Sequence, residues 1–214
     1  MNRFLLTSLL FLAACTPVTA PTGTPAVIRV YATSATQPWL AAAYKCAEEQ
    51  SVVLSNVLDP QQADISLRMG EPMGEPDQLS SQAYQIGQDD LLVMTRADSP
   101  LQDLTAAKVQ AFFSNPDPRS VQVWVFAPGE DIQQIFARDV LHELPITSLA
   151  RVAVSPQQMS DALSQDKTAV GILPRHSKTG TLRAVFSLPS VPILALTPAE
   201  PQGVIKSMLA CLQK

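Results

Sequence analysis

Apolar positions along the chain fall into two periods, and their alternation sets the first picture. Ala26 to Ala32 (A-V-I-R-V-Y-A) is a β-branched run that predicts a buried strand. The small polar stretch Thr33-Ser34-Ala35-Thr36-Gln37-Pro38 follows, with N-cap candidates and a proline suited to a first helical turn. Trp39 to Gln50 continues as a helix, and Val52 to Leu54 and the alternating Ala63 to Met69 predict two strands. Gly70 to Asp77 reads as a loop holding E-P-M-G-E-P. Tyr84 to Ile86 and Leu91 to Thr95 predict strands on either side of a polar turn, Gly87 to Asp90. Beyond it, Leu104 to Phe113 is a helix with Asp103 as its cap, Val121 to Phe126 a strand, and Gly129 to Leu144 a helix. Arg151 to Val154 is a strand, Ser155 caps a helix over Pro156 to Gln165, and Ala169 to Leu173 is a strand apolar on both faces. Leu182 to Leu188 and Ile193 to Leu196 are the last strands, and Pro201 to Leu212 closes as an amphipathic helix. Strands alternating with helices imply parallel pairing and the α/β class.

The N-terminus has a different pattern. Arg3 precedes an apolar run from Phe4 to Ala14 of about 11 residues, well short of the roughly 20 that span a bilayer. It reads as an export signal over residues 1–14. Leu12-Ala13-Ala14-Cys15 resembles the lipobox of bacterial lipoproteins, in which the cysteine thiol receives the lipid. Residues 15–26, rich in Pro and Thr, cannot bury enough surface to order themselves and predict an extended tether roughly 30 Å long. The expectation is a protein held by its lipid on the extracytoplasmic face of the cell membrane.

Val27 to Lys214 is then long enough for one large or two small domains. Without Arg3, 14 basic residues face 19 acidic ones, a net charge of −5 that argues against a nucleic-acid partner. Cys46 and Cys211 are either a bridge or two buried thiols, and an oxidising destination favours the bridge. His142 and His176 have no metal-ligand spacing, and neither a G-x-S-x-G elbow nor a C-x-x-C pair occurs. No catalytic residue, metal or cofactor is predicted, and the chain is not read as an enzyme.

Several segments, in order, resemble the type II class of periplasmic solute-binding proteins, nearest the phosphate-binding group. V-Y-A-T-S-A-T-Q-P-W-L from Val30 resembles that family's first strand, binding turn and helix entry. Y-Q-I-G-Q-D-D-L-L-V-M-T-R from Tyr84 looks like the strand into the second lobe, and S-P-L-Q-D-L-T-A-A-K-V-Q-A-F-F-S-N from Ser99 like a family signature, with Asn115 where Gly is usual. V-G-I-L-P from Val170 resembles another recurring strand. The resemblance implies a two-lobe fold with mixed, mainly parallel sheets and helices on both faces. Lobe one would be 27–95 plus 181–214 and lobe two 96–180, with the ligand between them. It also puts Cys46 on the first helix and Cys211 on the last, both in lobe one, where a disulfide is geometrically accessible.

The resemblance points to three binding segments. Thr33, Ser34, Ala35 and Thr36 form the first, where hydroxyls and a helix start suit an anion, or merely cap the helix. Arg68 and Gly70 form the second, although an Arg in a strand also serves as a surface residue. Pro128, Gly129, Glu130 and Asp131 form the third and break the pattern, because two carboxylates stand where a phosphate receptor has Arg, Ser and Thr. They would repel an anion, or else point to solvent at a helix start. Two functions follow. One is a monomeric receptor that hands a small solute, an anion among the candidates, to an ABC permease. The other is an exported interaction or scaffold lipoprotein that keeps the fold without the ligand.

Overall fold

The computed structural model describes residues 25–71, 82–117 and 120–214. The signal segment, Cys15, most of the tether and nearly all of the E-P-M-G-E-P loop lie outside the described residues.

Eight strands make one mixed sheet in the order β2-β1-β3-β8-β4-β7-β5-β6. In one half β1 (Val27–Ala32) pairs in parallel with β2 (Val53–Asn56) and β3 (Ile65–Met69). In the other, β5 (Gln122–Phe126) pairs in parallel with β6 (Arg151–Ala153) and β7 (Ala169–Pro174). Two long antiparallel strands, β4 (Gln82–Arg96) and β8 (Leu182–Thr197), run through the middle and belong to both halves. Ile193–Leu196 of β8 meets β3, and Leu91–Pro174 begins the register of β4 on β7. Parallel strands at the flanks and antiparallel ones at the centre give the mixed α/β architecture, in a single sheet.

Helices complete each half. α1 (Gln37–Glu49) and α5 (Gly203–Leu212) pack together on the first, where Cys46 and Cys211 are bonded with their Cα atoms 6.0 Å apart. α2 (Ala106–Ser114), α3 (Asp131–Phe136) and α4 (Pro156–Gln165) serve the second. Every residue of β7 is buried, as its unbroken apolar run requires of a strand covered on both faces. Phe113, Phe126 and Phe136 are the largest fully buried side chains, and the rings of Phe113 and Phe136 lie 4.6 Å apart. Each such ring contributes about 1.5–3 kcal/mol by leaving water.

Four boundaries differ from the sequence reading, each for a local reason. Gly87 to Asp90 is not a turn: Gly87, Gln88, Asp89 and Asp90 face Ile193, Pro192, Val191 and Ser190 within continuous strand. Register shifts between Gln85 and Gly87 and between Asp90 and Leu92 absorb the irregular composition as bulges. β8 likewise runs unbroken through Pro189 and Pro192, because Pro189 falls where the ladder with β4 slips. α2 starts later than expected, capped by Thr105, whose hydroxyl accepts from the Lys108 N–H at 3.4 Å; Asp103 instead adopts a left-handed backbone at φ +41°. The long helix expected over Gly129 to Leu144 is α3 followed by a π-helical turn, Ala137–Leu141, which ends at left-handed His142.

Candidate functional site

The β1-to-α1 connection carries the first candidate cluster. Thr33 is extended, Ser34–Thr36 makes a single 3₁₀ turn, and Pro38 falls in the first turn of α1, where its missing N–H costs nothing. The Thr36 hydroxyl is fully buried and is shared between the carbonyls of Leu67, at 3.1 Å, and Thr33, at 3.2 Å. Thr33 and Thr36 hydroxyls lie 3.4 Å apart, and Ala35 is buried beside them. The Thr36 hydroxyl ties the turn to β3. Ser34 alone reaches outward, and its hydroxyl donates to Glu130 Oε2 at 2.8 Å in the other half.

Arg68 and Asp131 form the second junction. Alternation along β3 buries Ile65, Leu67 and Met69 and leaves Arg68 on the opposite face. Its Nε and Nη2 donate to Asp131 Oδ1 at 2.8 and 2.5 Å, and the Met69 N–H donates to Oδ2 at 2.9 Å. The Asp131 side chain is 2% exposed and that of Arg68 14%. The guanidinium also lies 6.0 Å from the Tyr31 ring centre. Burial raises the Tyr31 phenol above its ordinary range, with the Arg68 charge opposing and the carboxylates of Asp131 and Glu130 adding to the rise.

Gly70 follows β3 at φ +71°, a backbone region that favours glycine, and its N–H donates to the Pro192 carbonyl at 2.8 Å. A Cβ there would stand 3.1 Å from Ile135 Cδ1 of α3, so the two halves meet at this residue too. Pro128 and Gly129 are exposed and touch none of these groups through a hydrogen bond. Glu130 and Asp131 therefore cross between the halves, Glu130 accepting from Ser34 and Asp131 from Arg68 and the Met69 N–H.

Beside this seam a groove of about 470 Å³ opens between the halves. Ser34, Gln37 and Pro38 line one wall, Ser155, Pro156 and Gln157 at the start of α4 the other, and His176 and Ser177 the base. Ser155 caps α4 by accepting from the Gln158 N–H at 3.2 Å, which leaves its own proton available. His176 is fixed from behind. Its Nδ1 lies 2.5 Å from Asp89 Oδ2, its backbone N–H donates to the same oxygen at 3.4 Å, and its ring meets Trp39 edge-on at 5.6 Å. The neighbouring Asp90 accepts from Arg175 Nε at 2.7 Å. Burial pushes the Asp89 carboxyl up, but hydrogen bonds from His176 and from the Asp90 and His176 N–H groups outweigh it and hold it below the usual carboxylate range. Gly87 lets Trp39 approach: a Cβ at that position would sit 2.5 Å from the indole Nε1.

Of the residues lining this groove, sequence reasoning named only Ser34 as a binding residue. Asp89 and His176 are 87 residues apart and meet only because β4 carries one past the end of β7. Among the described residues no cluster of three or more His, Cys, Asp or Glu side chains could hold a metal ion, and no helix is long and apolar enough to cross a membrane.

No protein-family model and no curated protein matches the sequence. Solved structures do resemble the fold. A putative phosphate ABC transporter substrate-binding protein with bound phosphate, from Clostridium perfringens, is similar with a TM-score of 0.72 at 15% identity, over 87% of this chain and 92% of that one. An ABC-type phosphate transport receptor from Vibrio cholerae is similar at 0.68 and 14% identity, over 88% and 94%. The regulatory domain of MetR, a LysR family regulator from N. meningitidis, reaches 0.63 at 11% identity, over 88% and 92%. Receptors and regulators thus share one architecture with this chain, and at these identities the likeness speaks for the fold alone. The chain has the type II periplasmic-binding-protein fold.

Proposed function

We propose that this is an extracytoplasmic solute-binding protein, held to the membrane by lipid on Cys15 and a 15–26 tether, and that it serves an ABC permease. In this reading the two halves are lobes, 27–95 with 181–214 and 96–180, hinged along β4 and β8. The observation that carries the reading is the groove. It is lined from both halves and from the turn between β7 and β8, it lies in the size range of small-molecule sites, and it carries the hydroxyls of Ser155, whose proton is available, and Ser177. A ligand touching both walls binds the closed arrangement better than an open one, which is all that closure on a solute requires. Because Arg68 and Ser34 are already paired with carboxylates, the solute is a small polar molecule, neutral or cationic, and not phosphate. Binding and delivery, not catalysis, is the activity proposed.

A specific observation favours a second reading, the scaffold lipoprotein. Ser34–Glu130 and Arg68–Asp131 join the halves directly, side chain to side chain. Thermal unfolding of the purified protein against amino acids, small sugars, polyamines and oxyanions separates the two. A solute at 100 times its dissociation constant adds about 2.7 kcal/mol, a rise of several degrees. The receptor reading expects one such rise, lost when Ser155 and Ser177 are both changed to Ala. No rise across the panel overturns it in favour of the scaffold.

A further inference from the structure

The Arg68–Asp131 junction differs from an ordinary surface ion pair in the way its donors are arranged. All three come from one short piece of β3: Arg68 Nε, Arg68 Nη2 and the Met69 N–H. Together they make a planar fork and a backbone donor converging on one carboxylate, a geometry suited to any small oxyanion. The acceptor comes from the other half, 62 and 63 residues away, and is almost wholly out of water. A carboxylate buried that deeply is stable only while its partners stay in place. The adjacent contacts cross the same seam: Ser34 on Glu130 to one side, and Gly70 against Ile135 to the other.

We infer that Asp131 is a tethered anion filling a site that would otherwise take a free carboxylate or other small oxyanion, and that it holds the halves together without a solute. Two consequences follow. Free anions do not compete in the native chain, because the tethered carboxylate is already in place at a very high local concentration. Removing that carboxylate while keeping Arg68 exposes the site, and a small anion should then replace it. Neither consequence depends on which solute the groove takes, so an empty groove leaves this inference standing.

Chemical rescue tests it. The melting temperatures of the wild type, D131A, D131N and the double variant R68Q/D131A are measured in formate, phosphate and chloride at matched ionic strength. The expectation is no specific response in the wild type. D131A and D131N should melt lower than wild type and recover by roughly 3 °C or more in formate or phosphate, in a saturable way. The double variant should show no recovery. Folded single variants that ignore both anions overturn the inference, as does a wild type that responds to phosphate as strongly as they do. Single variants that cannot be refolded even with formate present also overturn it, because a free carboxylate should then supply the missing charge.

Discussion

Thr36 and Asp131 carry the main lesson at the scale of single residues. The hydroxyls at the start of α1 have the right types for ligand donors, yet Thr36 spends its proton on the Leu67 and Thr33 carbonyls. Asp131 reads from sequence as a helix-start carboxylate, and only the fold shows that it meets Arg68 and the Met69 N–H. Propensity and spacing rules describe neighbours a few residues apart, so a pairing across 63 residues leaves no local mark. Asp89 is illegible for the same reason, and it yields a prediction. Its carboxyl lies below the ordinary value of 3.8 in the folded protein, while the unfolded chain has the ordinary value. The stability it contributes is therefore complete above about pH 3.8 and is lost as the pH falls through the lower folded value. D89N should cost about 1.5–3 kcal/mol at neutral pH, the range for a hydrogen bond to a charged group. Urea unfolding at stepped pH should show the gap between wild type and D89N closing below pH 3.8. A gap that is constant down to acid pH would contradict the role assigned to the pair.

Elements were legible wherever a strong local signal marked their ends. Ser155-Pro156 places the start of α4 to the residue, since a capping hydroxyl followed by a first-turn proline has little other use. β4 and β8 were cut in two by sequence reading because Gly87, Pro189 and Pro192 carry the composition of turns. Bulges and unpaired strand edges accommodate those residues, and both depend on partners that sequence does not reveal. The two helices that finish the first half are α1 and α5, joined through Cys46 and Cys211 across 165 residues of chain. On the chain-entropy account a loop of that length is worth about 4–5 kcal/mol. C46A/C211A should therefore melt roughly 10 °C or more below the oxidised wild type, and a reducing agent should lower the wild type by a similar amount. An unchanged melting temperature would mean that packing of α1 on α5 already holds that half without the bond.

For the whole molecule, the order of segments revealed more than any one motif. The α/β class, the fold family and the succession of elements were readable because each half repeats strand, turn and helix with clear periodicity. The state of the cleft was not readable, because it depends on which charged side chains meet when the halves come together. One sheet runs through both halves, three contacts at its seam (Ser34–Glu130, Arg68–Asp131 and Gly70–Ile135) join them directly, and on our inference those contacts keep the halves closed. That self-closure is the central claim. Small-angle X-ray scattering of the purified wild type beside E130A/D131A, both free of solute, tests it most directly. A wild type that matches the closed structure, with a larger radius of gyration for E130A/D131A, is the expected result. A wild type already as open as the variant would contradict the claim.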